Sequence, residues 1–428
     1  MPSTSDRLDV GRRRFLRQTG LTLGGLSLID SSVARVTAML LRVDPTTDPQ
    51  SPGQRYLDPA PVGIDARWAW EHQNGGGEGV GFVDIEQGWF LGFDAASDMY
   101  QHEDLPRRTD KLRVSAGVPR TIDSASCTQS RHHGTAVVGV VAGADNALGI
   151  VGAAPNVMSV EVASHINGSV PGNVANAIDK VLPFMTPGDV LLIEWQEATG
   201  STPNVPAEVK ESTFAAIGRA ITQGMIVIEP AGNFNVNLDT INALNPSHSA
   251  FRDSGAIIVG ACNQPDAMGN GRSRWVATAA DFPDASTYPP FLPNCNPPGL
   301  PPIFPGSNFG ARVDCYAWGA GIVSAGFGWT GGTTGTNSYT NRFGGTSGAA
   351  AIVAGAAVLI QGLHKFEKMR PLTPAEMRSA LKANGTTAQL TDPSQNIGVM
   401  PDIRRVADAL GMGASSTPSS PSNLRIIR

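Results

Sequence analysis

The chain has 428 residues, of which 41% are hydrophobic, and this is enough apolar material for a large core. Its 32 lysines and arginines are outnumbered by 37 aspartates and glutamates, and the formal net charge of −5 argues against nucleic acid as the main partner. Glycine (49) and proline (32) are abundant while only 16% of residues are charged, a balance expected of a loop-rich, exported globular protein.

Residues 1–38 have the pattern of an export signal. A basic run from Arg12 to Arg17, which also contains Phe and Leu, precedes a weakly apolar segment from Leu21 to Ile29. This resembles the twin-arginine type of signal. The apolar segment is too short and too rich in glycine to span a bilayer permanently, so we expect no stable membrane span after signal removal. The alternative is a basic, disordered N-terminus. Residues 39–55 are predicted to form a linker.

The remainder reads as one large α/β domain over residues 56–410, although length alone suggests about three domains. Short apolar runs bounded by glycine alternate with helical patterns, which indicates a three-layer, doubly wound, mostly parallel sheet with helices on both faces. The predicted strands are 79–84, 190–193, 225–228 and 256–260, and the predicted helices are 132–143, 214–223 and 373–383. The serine- and proline-rich residues 411–428 are predicted to be a flexible tail.

Ser347 begins an unusual stretch of the chain. Small, turn-forming residues lead into it, and there is no charged residue between Gly344 and Gln361, so a tight turn should feed a buried helix. A hydroxyl at a helix N-terminus lies beside free backbone donors, and this suits a nucleophile whose attack creates an oxyanion. The alternative is that Ser347 is only a helix N-cap.

Three further residues are candidates for chemistry. Asp84 ends a predicted strand, and functional groups collect at the carboxyl ends of parallel strands. His133 precedes Gly and Thr at the start of a helix of small residues, where a purely structural histidine is the alternative. Asn233 follows another strand, and its amide could donate to an oxyanion or simply form an Asx turn.

These four motifs, in the order Asp84, His133, Asn233, Ser347, resemble those of the subtilisin-like serine peptidases, the subtilases of peptidase S8 type. The resemblance extends over about residues 56–410. It implies that Ser347 is the nucleophile, His133 the general base, Asp84 the acid that orients the imidazole, and Asn233 an oxyanion-hole donor together with a backbone N–H.

The chain departs from the family pattern at several places, two of which concern the acid and the substrate-binding strand. After Asp84, the usual small residue and glycine are replaced by Ile85 and Glu86. The strand that normally binds the substrate backbone carries Glu194 and Trp195, which are therefore candidate substrate-binding residues. Glu194 could select basic side chains, or it could be structural.

Cysteines and metals provide weaker signals. None of the four cysteines forms a closely spaced metal-binding pair, so disulfides are the better interpretation in an exported chain, and we favour Cys295 with Cys315. No metal ligand is assigned and no cofactor is required. Members of the family often bind structural calcium, but no acidic loop here is specific enough to assign a calcium site.

The sequence thus predicts an exported, periplasmic or extracellular serine endopeptidase that hydrolyses polypeptides through an acyl-enzyme intermediate. We expect a monomer that binds no nucleic acid. The alternative is a catalytically inactive subtilase fold that serves as a secreted binding protein, and an esterase with the same triad is a third reading.

Overall fold

The computed structural model describes residues 43–90, 102–107, 112–114, 128–165, 173–199, 202–278, 305–326 and 336–412. The predicted export signal at 1–38, the first four residues of the predicted linker, and residues 413–428 of the predicted tail lie outside these ranges. Cys127 and Cys295 also lie outside them.

The described residues form thirteen strands, seven α-helices and several short 3-10 helices. The strands are β1 Gly81–Glu86, β2 Leu112–Val114, β3 Ser159–Ser164, β4 Val190–Ile193, β5 Gln196–Thr199, β6 Thr202–Pro206, β7 Ile226–Pro230, β8 Ile257–Cys262, β9 Cys315–Trp318, β10 Ile322–Ala325, β11 Tyr339–Phe343, β12 Gly385–Thr387 and β13 Val399–Pro401. The helices are α1 Ala66–Trp70, α2 Thr128–Ala142, α3 Val174–Val181, α4 Glu211–Thr222, α5 Gly345–Lys368, α6 Pro374–Ala383 and α7 Ile403–Ala409. The 3-10 helices are Pro45–Thr47, Ser51–Gly53, Arg55–Leu57, Leu182–Phe184, Ala207–Val209 and Leu238–Thr240.

Nine strands form the central sheet, in the order β12-β13-β9-β8-β7-β4-β1-β3-β2. All of its pairs are parallel except β12 with β13. Helices α2 and α5 pack together, with α5 across β4, β7, β8 and β9, while α3 and α4 pack together against β1, β3 and β7. The predicted α/β fold with a mostly parallel sheet between helices is confirmed. The strand order reverses beside β1, and in such sheets the carboxyl ends of the strands at this switch form a crevice.

Helix α5 is the core of the molecule. Its residues 345–364 are all buried, so it is apolar on every side, as expected of a helix enclosed by other elements. The helix is long and apolar enough to cross a bilayer. Its apolar part is completely buried inside the structure, however, as in the core helix of a globular protein. The first turn of this helix, which contains Ser347, is therefore buried with the rest of it.

The predicted linker is wrong over residues 43–55. This stretch forms short 3-10 helices that pack onto the domain, and Ser51 and Gln54 are buried in it. Gln54 donates a hydrogen bond to the carbonyl of Val151, 2.8 Å away. At the other end, the predicted tail begins too early by two residues, because Met412 is buried and its N–H donates to the carbonyl of Ala407.

The predicted disulfide between Cys295 and Cys315 is also wrong. Cys315 is a free, buried thiol in β9, and Cys262 in the neighbouring strand β8 is free and buried as well. Burial raises the pKa of both thiols, so they stay protonated and behave as small apolar side chains.

Candidate active site

The candidate site lies at the carboxyl ends of β1, β4 and β7. Strand β1 ends at Glu86, and Glu194 directly follows β4, which pairs with β1 in parallel. Asn233 stands three residues after the end of β7, and Ser347 lies in the first turn of α5. The fold thus brings residues that are far apart in the chain to one edge of the sheet, at the point where the strand order reverses.

His133 faces Glu86. Its Nδ1 forms a very short hydrogen bond with Oε2 of Glu86, and the two side chains are 15% and 4% exposed. Because a carboxylate can only accept, Nδ1 carries the proton and Nε2 is the basic nitrogen. Gly134 permits this approach, since a Cβ there would lie 2.3 Å from the carbonyl oxygen of Gly88 and 2.7 Å from Cγ of Glu86. The ring of Phe343 packs edge-on against the imidazole, with centroids 5.4 Å apart.

Asp84, which was predicted to orient His133, is bonded to Trp89 instead, and the carboxylate bonded to the imidazole is that of Glu86. Oδ2 of Asp84 accepts a hydrogen bond of 2.7 Å from Nε1 of Trp89, and its Oδ1 has no partner among the described residues. Alternate residues of a strand share a face, so Asp84 and Glu86 point the same way. Asp84 lies two residues, or about 6.6 Å, deeper in the sheet, and only Glu86 reaches the edge where His133 lies. A signal was present in the sequence, because Gly88 stands two residues after Glu86, as the family pattern requires of its acid.

Asn233 is held by the residue that precedes Ser347. Its Oδ1 accepts hydrogen bonds from the backbone N–H and the hydroxyl of Thr346, each at 2.8 Å. An N–H must face an oxygen, so these bonds fix the orientation of the amide. The side chain is fully buried, yet Nδ2 has no hydrogen-bond partner in the described part of the chain. A preoriented, unused donor beside Ser347 is what an oxyanion hole requires.

Ser347 is not the N-cap of its helix. The N-cap is Gly344, and α5 begins at Gly345, whose φ of 71° lies in the left-handed region that favours glycine. A Cβ at Gly344 would lie 2.3 Å from the carbonyl oxygen of Gly319, so the turn needs glycine there as well. Ser347 is therefore the third residue of the helix, 4% exposed, and capping does not explain it.

Glu194 also reaches the site, whereas Trp195 turns to other partners. Burial raises the pKa of Glu194 well above its usual range, and repulsion from Glu86 and Asp84 adds to this. The hydroxyl of Ser347 is near enough to lower that pKa, although neither oxygen of Glu194 forms a hydrogen bond of normal geometry within the described residues. The indole of Trp195 donates to Glu197 at 3.1 Å and packs on the ring of His165, with centroids 4.5 Å apart.

Asp84 shares the environment of Glu194. Burial raises its pKa well above the usual range, repulsion by Glu86 raises it further, and the hydrogen bond from Trp89 partly opposes the rise. The site therefore collects three buried carboxyl groups around one imidazole. Such an accumulation of perturbed titratable groups in a crevice is typical of a functional site.

Comparisons with known proteins agree with this architecture. The model of the subtilase family matches residues 92–399. The chain is 26% identical over 276 residues to Subtilisin DY from Bacillus licheniformis, an alignment that covers 64% of this chain and 78% of that protein. A solved structure described as proteases from Pseudoalteromonas arctica superposes with a TM-score of 0.55 at 21% identity, over 85% of this chain and 99% of that one.

The family match includes His133, Asn233 and Ser347 but begins after β1, so it contains neither Asp84 nor Glu86. The family match therefore does not decide between these two carboxyl groups. The match spans well over half of the sequence and, with the similarity to Subtilisin DY, the chain belongs to the subtilase family and is a serine-type endopeptidase.

Proposed function

We propose that the protein is an exported endopeptidase that cleaves polypeptides with Ser347 as nucleophile, His133 as general base and Glu86 as the acid that orients it. The observation that carries the proposal is the hydrogen bond between Glu86 and Nδ1 of His133, beside a serine at a helix start. This bond leaves Nε2 unprotonated and able to accept the proton of the Ser347 hydroxyl.

The acyl transfer then follows from the roles of these groups. Oγ of Ser347 attacks the carbonyl carbon of the scissile peptide, and its proton passes to Nε2 of His133. Glu86 stabilises the imidazolium that results, and Nδ2 of Asn233 donates to the oxyanion. His133 then protonates the leaving amine as the C–N bond breaks. A water molecule, deprotonated by the same nitrogen, attacks the acyl carbon, and the bond to Oγ of Ser347 breaks as Oγ takes the proton back from His133. No metal or cofactor enters these steps.

The position of Glu86 in β1 and the length of its side chain support it, in place of Asp84, as the acid that orients His133. Glu86 reaches one methylene further than an aspartate and stands at the last position of β1, so its carboxylate meets the imidazole without a shift of the strand. Export is part of the proposal because of the arginine run and the apolar segment that follows it. A catalytically silent binding protein is less favoured, since such a protein needs neither the bond to His133 nor the unused donor of Asn233.

Labelling with a fluorophosphonate probe tests the proposal. We expect the probe to modify the exported, folded protein at Ser347 and to fail after heat denaturation, because only a serine activated by a folded triad reacts. Ser347→Ala should abolish labelling and lower peptide hydrolysis by about 10⁶-fold in kcat. Arg12→Lys with Arg13→Lys should leave the labelled band in the cytoplasm. Undiminished hydrolysis by Ser347→Ala would refute the mechanism.

A further inference from the structure

Glu194 is an anomaly among the buried polar groups of the cleft. The residue is 5% exposed and the Ser347 hydroxyl lies near it, yet neither carboxyl oxygen has a hydrogen bond of normal geometry within the described residues. Most buried polar atoms in proteins are paired, so an unpaired carboxyl demands a specific explanation, such as an ion that completes it. The proposed acyl transfer gives Glu194 no role.

The unpaired carboxyl points into a group of metal-ligating atoms. One carboxylate oxygen of Glu86, one ring nitrogen of His133 and one carboxylate oxygen of Glu194 lie within 4.8 Å of one another. One imidazole and two carboxylates are a donor set that suits Zn²⁺. Donor atoms around a tetrahedral zinc ion lie about 3.4 Å apart, because the bonds measure about 2.0–2.2 Å. Side-chain rotations that bring the atoms together by up to about 1.4 Å would therefore complete three ligands.

Charge favours a cation at this point. Glu86, Glu194 and, two residues deeper in β1, Asp84 are buried together, and their mutual repulsion acts on both Asp84 and Glu194. His133 alone contributes one positive charge at most. A divalent ion would neutralise two of the carboxylates and would occupy the unpaired oxygens of Glu194.

We infer that Glu86, His133 and Glu194 form a site for a Zn²⁺ ion that inhibits the peptidase reversibly. This inference rests on the proposed function, because inhibition follows only if Glu86 and His133 work in catalysis. A metal bound to this pair withdraws the imidazole from proton transfer, since a nitrogen that coordinates zinc cannot also take part in the relay between Glu86 and Ser347. The fourth position would remain open toward water, as in other zinc sites with three protein ligands.

Calorimetric titration of zinc chloride into the Ser347→Ala protein tests the site without autolysis. We expect one ion per chain. Adding Glu194→Gln should weaken binding at least tenfold, because the loss of even an outer-shell partner of a metal costs about 10–100-fold in affinity. Glu86→Gln should have the same effect and guards against a folding defect in one variant. Glu197→Gln is the matched control, since Glu197 is a nearby carboxylate that bonds Trp195, and it should bind zinc like the parent. Equal affinity in all four proteins would overturn the inference.

The rate of fluorophosphonate labelling tests the inhibition. Zinc should slow labelling of the Ser347-containing protein, and a chelator should restore it. In Glu194→Gln, zinc should slow labelling much less, with each rate compared with the zinc-free rate of the same variant. Binding without any slowing would overturn the regulatory role. If the proposed mechanism itself is wrong, labelling fails without zinc, while the calorimetric result still decides whether the site exists.

Discussion

Among the described regions that bury carboxyl groups, the surroundings of Arg312 and the cleft differ in how these groups are paired. Around Arg312, the guanidinium donates to both oxygens of Glu208, at 2.8 and 2.9 Å, and to Asp314 at 3.0 Å. Asp314 also accepts from Arg378 and Lys382, at 2.8–3.0 Å. In the cleft, Asp84 and Glu194 retain oxygens that have no partner among the described residues.

The difference separates a structural role from a chemical one. Burial alone would lower the pKa of Arg312, but Glu208 and Asp314 outweigh it and raise that pKa, so these charges stabilise one another. The cleft carboxyls have raised pKa values because burial and mutual repulsion are not offset. Paired buried charges hold a fold together, whereas unpaired ones in a crevice are available to a substrate or an ion.

Replacing the two carboxyl groups of β1 one at a time should give the largest effect on activity. Glu86→Gln should lower kcat for peptide hydrolysis by about 10⁴-fold, because an amide at this position favours the wrong tautomer of His133. Asp84→Asn should change kcat by less than about tenfold, since an amide oxygen can still accept from Trp89. Steady-state kinetics of the two variants, with circular dichroism as the folding control, decides between them. The reverse pattern would restore Asp84 as the orienting acid.

Removing the central cation tests the paired region. Arg312→Met should reduce the free energy of unfolding by about 3–5 kcal/mol, because it leaves Glu208 and Asp314 buried without their common partner. Arg219→Met is the matched control. Arg219 pairs with Asp179 on the surface, and its loss should cost less than about 1 kcal/mol. Urea unfolding in the Ser347→Ala background measures both without autolysis, and equal losses would mean that burial does not distinguish the two pairs.

Variants of Asn233 test whether its Nδ2 donates to the oxyanion. Asn233→Ala should lower kcat by about 10²–10³-fold, the usual cost of removing one oxyanion-hole donor, with little change in KM. The variant also removes the acceptor of Thr346, so Asn233→Asp is a second probe that keeps Oδ1 and removes only the N–H donor. If Asn233→Asp retained the parental kcat at neutral pH, the donor would have no role in catalysis.

Much of this arrangement could be predicted from the sequence, because it is encoded locally. The apolar runs of β1, β4, β7 and β8 are continuous, as expected of strands buried on both faces, and the glycines before Ser347 mark the turn. The local sequence does not decide whether Asp84 or Glu86 bonds to His133. Both side chains point from the same face of β1, and they differ only in their distance from the edge of the sheet. The approach of Glu194 depends on the pairing of β4 with β1.

The packing of residues 43–55 was equally non-local. Their proline- and threonine-rich composition is that of a linker, and their burial comes from contacts with distant residues, such as the bond from Gln54 to Val151. Composition describes what a segment can do alone, whereas tertiary contacts decide whether it joins a domain.

The pH dependence of the free energy of unfolding should differ between a carboxyl of the cleft and one beside Arg312, and this is the smallest of the expected effects. The folded pKa of Glu194 is raised, so its contribution is full below the unfolded value of about 4.3 and is lost as the pH rises through the folded value. Glu194→Gln should therefore stabilise the protein at neutral pH and have little effect near pH ~3.5.

Asp253 should behave in the opposite way. Burial would raise its pKa, but Arg312 and Arg378 outweigh burial and lower the pKa. Its contribution to stability is therefore present above about 3.9 and is lost as the pH falls through the folded value. Asp253→Asn should therefore destabilise at neutral pH, and the difference should shrink on acidification. Urea midpoints at several pH values in the Ser347→Ala background measure both, and the same sign for the two variants at neutral pH would show that the two regions do not differ in how they hold their carboxyls.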